Sequence, residues 1–256
     1  TAVLVRRRLT SGEYRLGLVV ALDLDAYDYR PEARKTIRAS EATIEDRLPI
    51  RIRIRENAII ETSHVIVLLN DPNQSVIESL DEYRDSLTKL YETDLMMDGG
   101  AVEGYAVPQK SDAGRRVVES LRQAANSAPD GLLFVVGDGN HSLAAAKKVW
   151  EKKKDQGAGP DDPARFALVE IVNLYDEGLH FYPIHRLLEG PQTKDVLDVL
   201  LRGLDARFHG FPEGSLAQHL QMESLGPTEI AIYGQGQAGV IKFEDSRQLA
   251  VARAEE

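Results

Sequence analysis

Leu132-Leu133-Phe134-Val135-Val136-Gly137-Asp138-Gly139-Asn140-His141-Ser142 runs straight into Leu143-Ala144-Ala145-Ala146-Lys147-Lys148-Val149-Trp150. The five apolar residues predict a strand buried on both faces. The alanine–lysine run predicts a strong helix, with Asn140 or Ser142 capping its first turn. Between them lies a tight polar turn whose glycines, Gly137 and Gly139, let the backbone take unusual dihedrals and approach a ligand closely. The free N–H groups of a helix start, and the positive end of its dipole, would face that turn. An anion, above all phosphate, is the natural occupant. Asp138 and His141 are suited to bind a metal, move a proton or hydrogen-bond a hydroxyl. Steric needs alone also produce such turns, with Asp138 bonding turn amides and His141 capping the helix. Asp, Asn, His and Ser crowded between glycines, with no apolar residue, favour a site.

Toward the N-terminus, Val3–Leu9 and Tyr14–Leu22 flank Thr10-Ser11-Gly12-Glu13 and predict a β-hairpin. Arg6, Arg7 and Arg8 on a strand point to both faces, which reads as solvation rather than a basic patch. Asp23 to Pro31 reads as a loop. Arg34 to Arg47 is chemically dense. Thr43 and Asp46 fit a capping box for a short helix. Arg38 and Arg47 carry the planar fork suited to phosphate or carboxylate. Glu41 is a general base or a salt-bridge partner of Arg38, and a solvated charged helix explains the same spacing. Arg51 to Arg55 alternate with isoleucines as a strand would, yet Pro49 leans the segment toward helix.

Farther along, His64 to Asn70 reads as a buried strand led by an edge histidine. Val76, Leu80, Tyr83, Leu87 and Leu90 recur at helical spacing and predict one amphipathic helix. Met96 to Val107 reads as a hairpin around Asp98-Gly99-Gly100, and Asp112 to Ala125 as a helix. Gln156 to Pro163 is the best loop or linker. Phe166 to Leu174 reads as a strand, and His185-Arg186 at a later strand end is either a phosphate cation or a surface pair. Val196 to Leu204 and Ser215 to Met222 read as helices. Glu229–Tyr233, Val240–Phe243 and Leu249–Ala252 read as an antiparallel meander turning at Gly234-Gln235-Gly236-Gln237.

Composition narrows the class. The 256 residues are 43% hydrophobic and 28% charged, as in an ordinary globular protein. A net charge of −10 argues against non-specific nucleic-acid binding. With no cysteine, disulfides, thiolate catalysis and cysteine-held metals are excluded, which is compatible with a reducing cytoplasm. No apolar run reaches the roughly 18–20 residues that cross a bilayer, and no signal peptide is visible. The first residue is Thr, so the natural chain is expected to start earlier.

Together these residues resemble a family found in bacteria and archaea, domain of unknown function (DUF) 1015. Its members carry Ala-Asp-Gly-His-His-Arg before a helix, here Gly137 to Ser142. They also carry an upstream segment resembling Ile37-Arg38-Ala39-Ser40-Glu41 and a downstream one resembling Tyr182-Pro183-Ile184-His185-Arg186. The resemblance runs from about Val3 to about Leu188 and is weaker beyond. Family members are longer at both ends, so the chain is expected to be a fragment or a subfamily variant. The Asp-Gly-x-His turn is in turn similar to the phosphate turn of the ParB/sulfiredoxin-like superfamily, one branch of which phosphorylates free serine. Where the commoner motif reads His-His-Arg, this chain has Asn140-His141-Ser142. The clamping arginine is missing, and Arg38, Arg47 or Arg186 would have to replace it.

The expected fold is mixed α/β: a largely antiparallel, mixed sheet with packed helices. Residues 1–190 read as a core domain carrying the turn, and 191–256 as a C-terminal α+β segment, separate or part of the same domain. The expected function is binding of a nucleotide or phosphorylated metabolite by an enzyme or former enzyme. Its most concrete form is phosphoryl transfer from ATP or ADP with Mg²⁺ to a small hydroxyl compound such as serine. Glu41 would activate the hydroxyl, Asp138 and His141 position metal or phosphate, and Gly137, Gly139, Asn140, Ser142, His185 and Arg186 help hold phosphate. The alternative is a non-catalytic metabolite- or nucleotide-binding module. A metal-dependent hydrolase built on Asp138 and His141 lacks enough spaced ligands. No nucleic acid or membrane is expected as partner, and an oligomer is left open.

Overall fold

The computed structural model describes residues 1–30, 32–128, 131–180, 187, 189–190, 193–203, 205–212, 214–222, 225–226, 228–235 and 237–244. The chain forms two compact units, Thr1–Tyr182 and Pro183–Glu256. The first holds a nine-stranded mixed sheet whose strands, in chain order, are β1 (Ala2–Arg8), β2 (Tyr14–Asp23), β3 (Tyr27–Asp28), β4 (Ile37–Ala39), β5 (Val65–Leu69), β6 (Thr88–Asp94), β7 (Ala101–Val107), β8 (Phe134–Asp138) and β9 (Phe166–Asn173). In space they run β3-β4-β8-β5-β9-β2-β1-β7-β6. Pairing is antiparallel except for β3 with β4, β4 with β8, and β5 with β9. The helices are α1 (Leu48–Glu56), α2 (Ile77–Asp81), α3 (Asp112–Ser127) and α4 (Asn140–Asp155).

Strand alternation places the core on one face. Leu4, Leu18, Leu22, Val65, Val67, Val136 and Val169 are buried against Ile77 and Leu80 of α2, Val117 of α3, and Leu143, Ala146 and Trp150 of α4. Next to this stripe α4 presents Ala144 and Ala145, small enough for Leu48 of α1 to pack directly on them. The N-terminal hairpin forms as its turn residues imply, with Arg7 opposite Arg15 near its tip. β8 is buried less than its apolar run suggests: Val136 is enclosed, Phe134 and Val135 are half-buried, and Gly137 and Asp138 are exposed. Its neighbour β4 spans only three residues and its ladder with β5 shifts register at Ile66/Val67, so the end of β8 lies open.

Tertiary pairing overrides helical spacing between Val76 and Leu90. Helix survives only over Ile77–Asp81, and Thr88–Asp94 becomes the edge strand β6 against β7. Leu90 is the extra residue where that ladder shifts between Lys89 and Tyr91. The hairpin around Asp98-Gly99-Gly100 is present, with β6 as its outgoing arm. The loop expected before Pro31 contains a 3₁₀ turn over Leu24–Ala26 and the two residues of β3. Thr43 does not cap. The 3₁₀ turn Glu45–Arg47 opens on Ile44 without a side-chain cap, and the Thr43 hydroxyl is buried without a partner.

Beyond the carboxyl ends of β5 and β9, Asp71, Asn173 and Asp176 form buried polar connections. Asp71 Oδ2 accepts from the N–H groups of Ser75 and Val76, at 2.7 and 2.9 Å. Asn173 Nδ2 donates to Glu78 Oε1 at 2.9 Å, while Glu78 Oε2 is buried without a partner among the described residues. Burial pushes the Glu78 carboxyl above the usual carboxylate range. The folded state therefore holds that proton more tightly than the unfolded chain, and stability is lost as pH rises from about 4.5 through the raised value. A neutral amide desolvates more easily than a carboxylate. Glu78→Gln is expected to gain about 1 kcal/mol at neutral pH, allowing for its partial exposure, and nothing at pH 4. Urea unfolding at both pH values checks this, and a loss at neutral pH contradicts it.

The second unit has a three-stranded antiparallel sheet ordered β10 (Ala206–Phe211), β12 (Gln237–Phe243), β11 (Glu229–Gly234). Helix α5 (Thr193–Gly203) packs Leu197 on Ile241 and Phe243, and α6 (Ser215–Met222) packs Leu216 on Ala238 and Val240. Thus β12 buries both faces. β11 and β12 pair as the expected meander requires, β10 pairs with the other edge of β12, and Leu249–Ala252 lies outside the described residues. Gln156 to Pro163 is a loop inside the first unit, where the Ala158 N–H closes on the Lys153 carbonyl.

Candidate functional site

β4 and β8 are neighbours and parallel, so the segments leaving them, Ser40–Ile44 and Gly139–Ser142, emerge at the same edge of the sheet. In open α/β sheets ligands bind outside such carboxyl ends. Strand becomes helix within one residue, because Gly139 takes a left-handed conformation with φ +86°. A Cβ there would also lie 3.0 Å from Val65 Cγ2. The Gly139 N–H donates to Asp138 Oδ1 at 2.7 Å, and its carbonyl accepts the Leu143 N–H at 2.9 Å. Among the described residues no acceptor meets the N–H groups of Asn140, His141 or Ser142. Packing also requires glycine at 137, since a Cβ there would meet Leu68 Cγ at 2.8 Å.

Neither Asn140 nor Ser142 caps α4, whose N-cap residue is Gly139. Asn140 is buried and faces the other strand's exit: its Nδ2 donates to Ser40 Oγ at 3.1 Å, and its Oδ1 accepts the Ser40 N–H at 3.3 Å. Its side chain is thereby committed to the loop, leaving its backbone N–H for a ligand. His141 makes the second link, Nε2 accepting the Ile44 N–H at 3.1 Å. An imidazole nitrogen that accepts carries no proton, so the hydrogen-bond pattern puts the proton on Nδ1. Nδ1 faces Glu41 Oε1 at 3.8 Å. His141 thus ties α4 to the β4 exit. Glu41 stays largely exposed, faces His141 rather than Arg38, and is free to meet a substrate.

The remaining sequence candidates divide. Ser142 is half-buried in the first turn of α4, and Asp138 is exposed with one oxygen on its own turn. Arg38 lies on β4 beside Val135, its Nε donating to the Lys35 carbonyl at 3.1 Å. Arg47 is exposed at the start of α1, with no hydrogen bond to the turn among the described residues. His185 and Arg186 lie outside the described residues. No group of three or more His, Cys, Asp or Glu side chains suited to a metal occurs among the described residues. A divalent ion carried by a nucleotide needs only one or two carboxylates besides phosphate, and Asp138 is of that kind.

Sequence reasoning missed the far wall. Glu45 Oε1 accepts from the Tyr29 hydroxyl at 3.2 Å, and Glu45 Oε2 lies 3.6 Å from Lys148 Nζ. The spacing of His141, Ala144, Ala145 and Lys148 on one side of α4 was the available signal. A cavity of about 460 Å³ opens beside β3, lined by Asp28, Arg30, Glu32, Ala33, Arg34 and Lys35. There the Arg30 guanidinium pairs with Asp28 and holds its carboxyl below the usual range.

No curated protein and no solved structure matches this chain. A family model described as "Protein of unknown function (DUF1015)" matches residues 1–251. The match continues well past Leu188, where the motif-level resemblance weakened, and takes in most of the second unit. No helix among the described residues is long and apolar enough to cross a membrane. With nearly its whole length matched, the chain belongs to the DUF1015 family.

Proposed function

We propose that the first unit binds the phosphate of a nucleotide or phosphorylated metabolite at Gly139–Ser142 and transfers a phosphoryl group to a small hydroxyl compound such as serine. The observation that carries this reading is the set of unmatched N–H groups at Asn140, His141 and Ser142, at the exit of two parallel strands. Such a cradle is electrically suited to an anion. The likeness of the turn to that of the ParB/sulfiredoxin-like superfamily supports it. In the transfer, the substrate hydroxyl oxygen bonds to the terminal phosphorus as the bond to the bridging oxygen breaks. Glu41 takes the hydroxyl proton, and the bridging electrons leave with the shortened nucleotide. Mg²⁺, which Asp138 would hold, would supply charge neutralisation. Transfer of this kind is mostly positioning and charge.

One observation favours a binding module without chemistry. Ser142 stands where the commoner motif has arginine, and Asn140 spends its side chain on Ser40. Both readings need the cradle, which a first-turn charge tests. Ser142→Glu places a carboxylate against the positive helix end, which favours the helix by about 0.3–1 kcal/mol but opposes a bound phosphate. The unliganded variant is expected to melt at or above the wild-type temperature. The stabilisation that ATP, ADP or a phosphorylated metabolite gives the wild type should disappear. An undiminished ligand shift in the variant rejects the cradle, as does a wild type that none of these compounds stabilises. Gly139→Val is a poorer probe, because φ +86° and the contact with Val65 strain any β-branched residue there.

A further inference from the structure

The sheet face opposite α2, α3 and α4 carries a second concentration of charge. Strand alternation puts Val5 and Arg7 of β1, Arg15 and Gly17 of β2, Gly104 of β7 and Glu170 of β9 on that face, away from Leu4, Leu18 and Val169. Arg7 stands directly opposite Arg15 in the β1–β2 ladder. Like charges paired across strands are unfavourable, and the carboxylate of Glu170 pairs with Arg15 alone. Arg15 Nη2 lies 2.9 Å from Glu170 Oε1, each side chain only 13% exposed. Arg7 is half-buried, its Nε is enclosed without a partner, and no carboxylate pairs with it among the described residues. A half-buried guanidinium without a counter-charge is costly unless an anion completes it.

Beside the two arginines, neighbouring side chains lie over two glycines. Gly104 and Gly17 flank Val5 in adjacent ladders. A Cβ at Gly17 would lie 2.3 Å from Glu170 Oε1, and one at Gly104 2.2 Å from Tyr91 Cζ. Both side chains thus recline across the sheet where a larger residue would stand them off. Tyr91 reaches this face because the shift at Leu90 reverses its side relative to Lys89, which sits over Tyr105 on the other face. This face therefore carries the Arg7 guanidinium without a counter-charge among the described residues, a second guanidinium held by Glu170, and a phenol.

We infer that this face holds a second anion-binding site, in which the Arg7 guanidinium, seconded by Arg15, takes the carboxylate or phosphate of a small molecule. Planar forks suit both groups bidentately. The site is independent of the Gly139 turn: β2 and β1 are the third and fourth strands from β8 in the sheet order.

The arginine Nε–Hε resonances of the full ¹⁵N-labelled chain test the inference, assigned by their loss in Arg7→Lys and Arg15→Lys. Inorganic phosphate and succinate are titrated separately at constant ionic strength set by chloride. Saturable movement of the Arg7 and Arg15 signals is expected with at least one probe, and the tighter probe identifies the preferred group. With the Gly139 turn blocked by Ser142→Glu, the same probe should still raise the melting temperature, and adding Arg7→Met to that variant should abolish the rise. Arg7→Lys keeps the charge without the fork and should bind about tenfold more weakly. Signals that follow chloride alone overturn the inference. So does equal anion stabilisation of Ser142→Glu with and without whichever Arg7 substitution folds.

Discussion

Trp150→Ala is expected to destabilise the first unit by roughly 3–5 kcal/mol, enough to unfold a marginal domain. Trp150 is among the largest fully buried side chains and lies in the cluster joining α4 to the sheet. Its indole Nε1 donates to Asp25 Oδ1 at 3.0 Å, the largest of the effects holding the Asp25 carboxyl below its ordinary range. Truncation therefore leaves a cavity and removes a donor from a carboxylate that Lys154 also meets, at 3.1 Å. Trp150→Phe separates the two losses, keeping most of the apolar volume while deleting the hydrogen bond. It should lie about 1–2 kcal/mol below wild type, well above the alanine variant. Urea unfolding of the three proteins is the measurement. An alanine variant within 1 kcal/mol of wild type would mean that α4 is not anchored here.

That anchoring explains why the central turn was legible from sequence. The alanine–lysine helix, its apolar stripe and the glycine before it agree with one another, so local propensity and tertiary packing point the same way. The hairpin of β1 and β2 was legible for the same reason. Val76 to Leu90 was not: its apolar residues have helical spacing, but β7 offers Lys89 and Tyr91 a ladder, and pairing outweighs periodicity. Within the site, the sequence marks the turn but not the use of its side chains. The side chains of Asn140 and His141 both hold the Ser40–Ile44 segment, a contact across about a hundred residues that no local pattern encodes. Ser40 stood in the upstream motif without a role until Asn140 was seen to hold it. The pairing of Arg7 with Arg15 was equally hidden, because three adjacent arginines read as solvation until register places one of them opposite another.

Glu41→Gln should separate catalysis from binding. Glu41 is exposed at the exit of β4, its Oε1 3.8 Å from His141 Nδ1. Glutamine keeps the size and a hydrogen-bonding oxygen but cannot take a proton. If Glu41 activates the acceptor hydroxyl, turnover should fall by roughly 10²–10⁴-fold while nucleotide affinity stays nearly unchanged. The stability effect should stay below about 1 kcal/mol, because an exposed pair at this distance is screened by water. Single-turnover phosphoryl transfer and a nucleotide titration on the same two proteins distinguish the outcomes. Undiminished turnover removes Glu41 from the chemistry and leaves it a partner of His141. A wild type that binds nucleotide but transfers nothing selects the binding module. A variant that loses affinity and turnover together assigns Glu41 to holding the ligand, a role in which an anion beside a phosphate requires a cation between them.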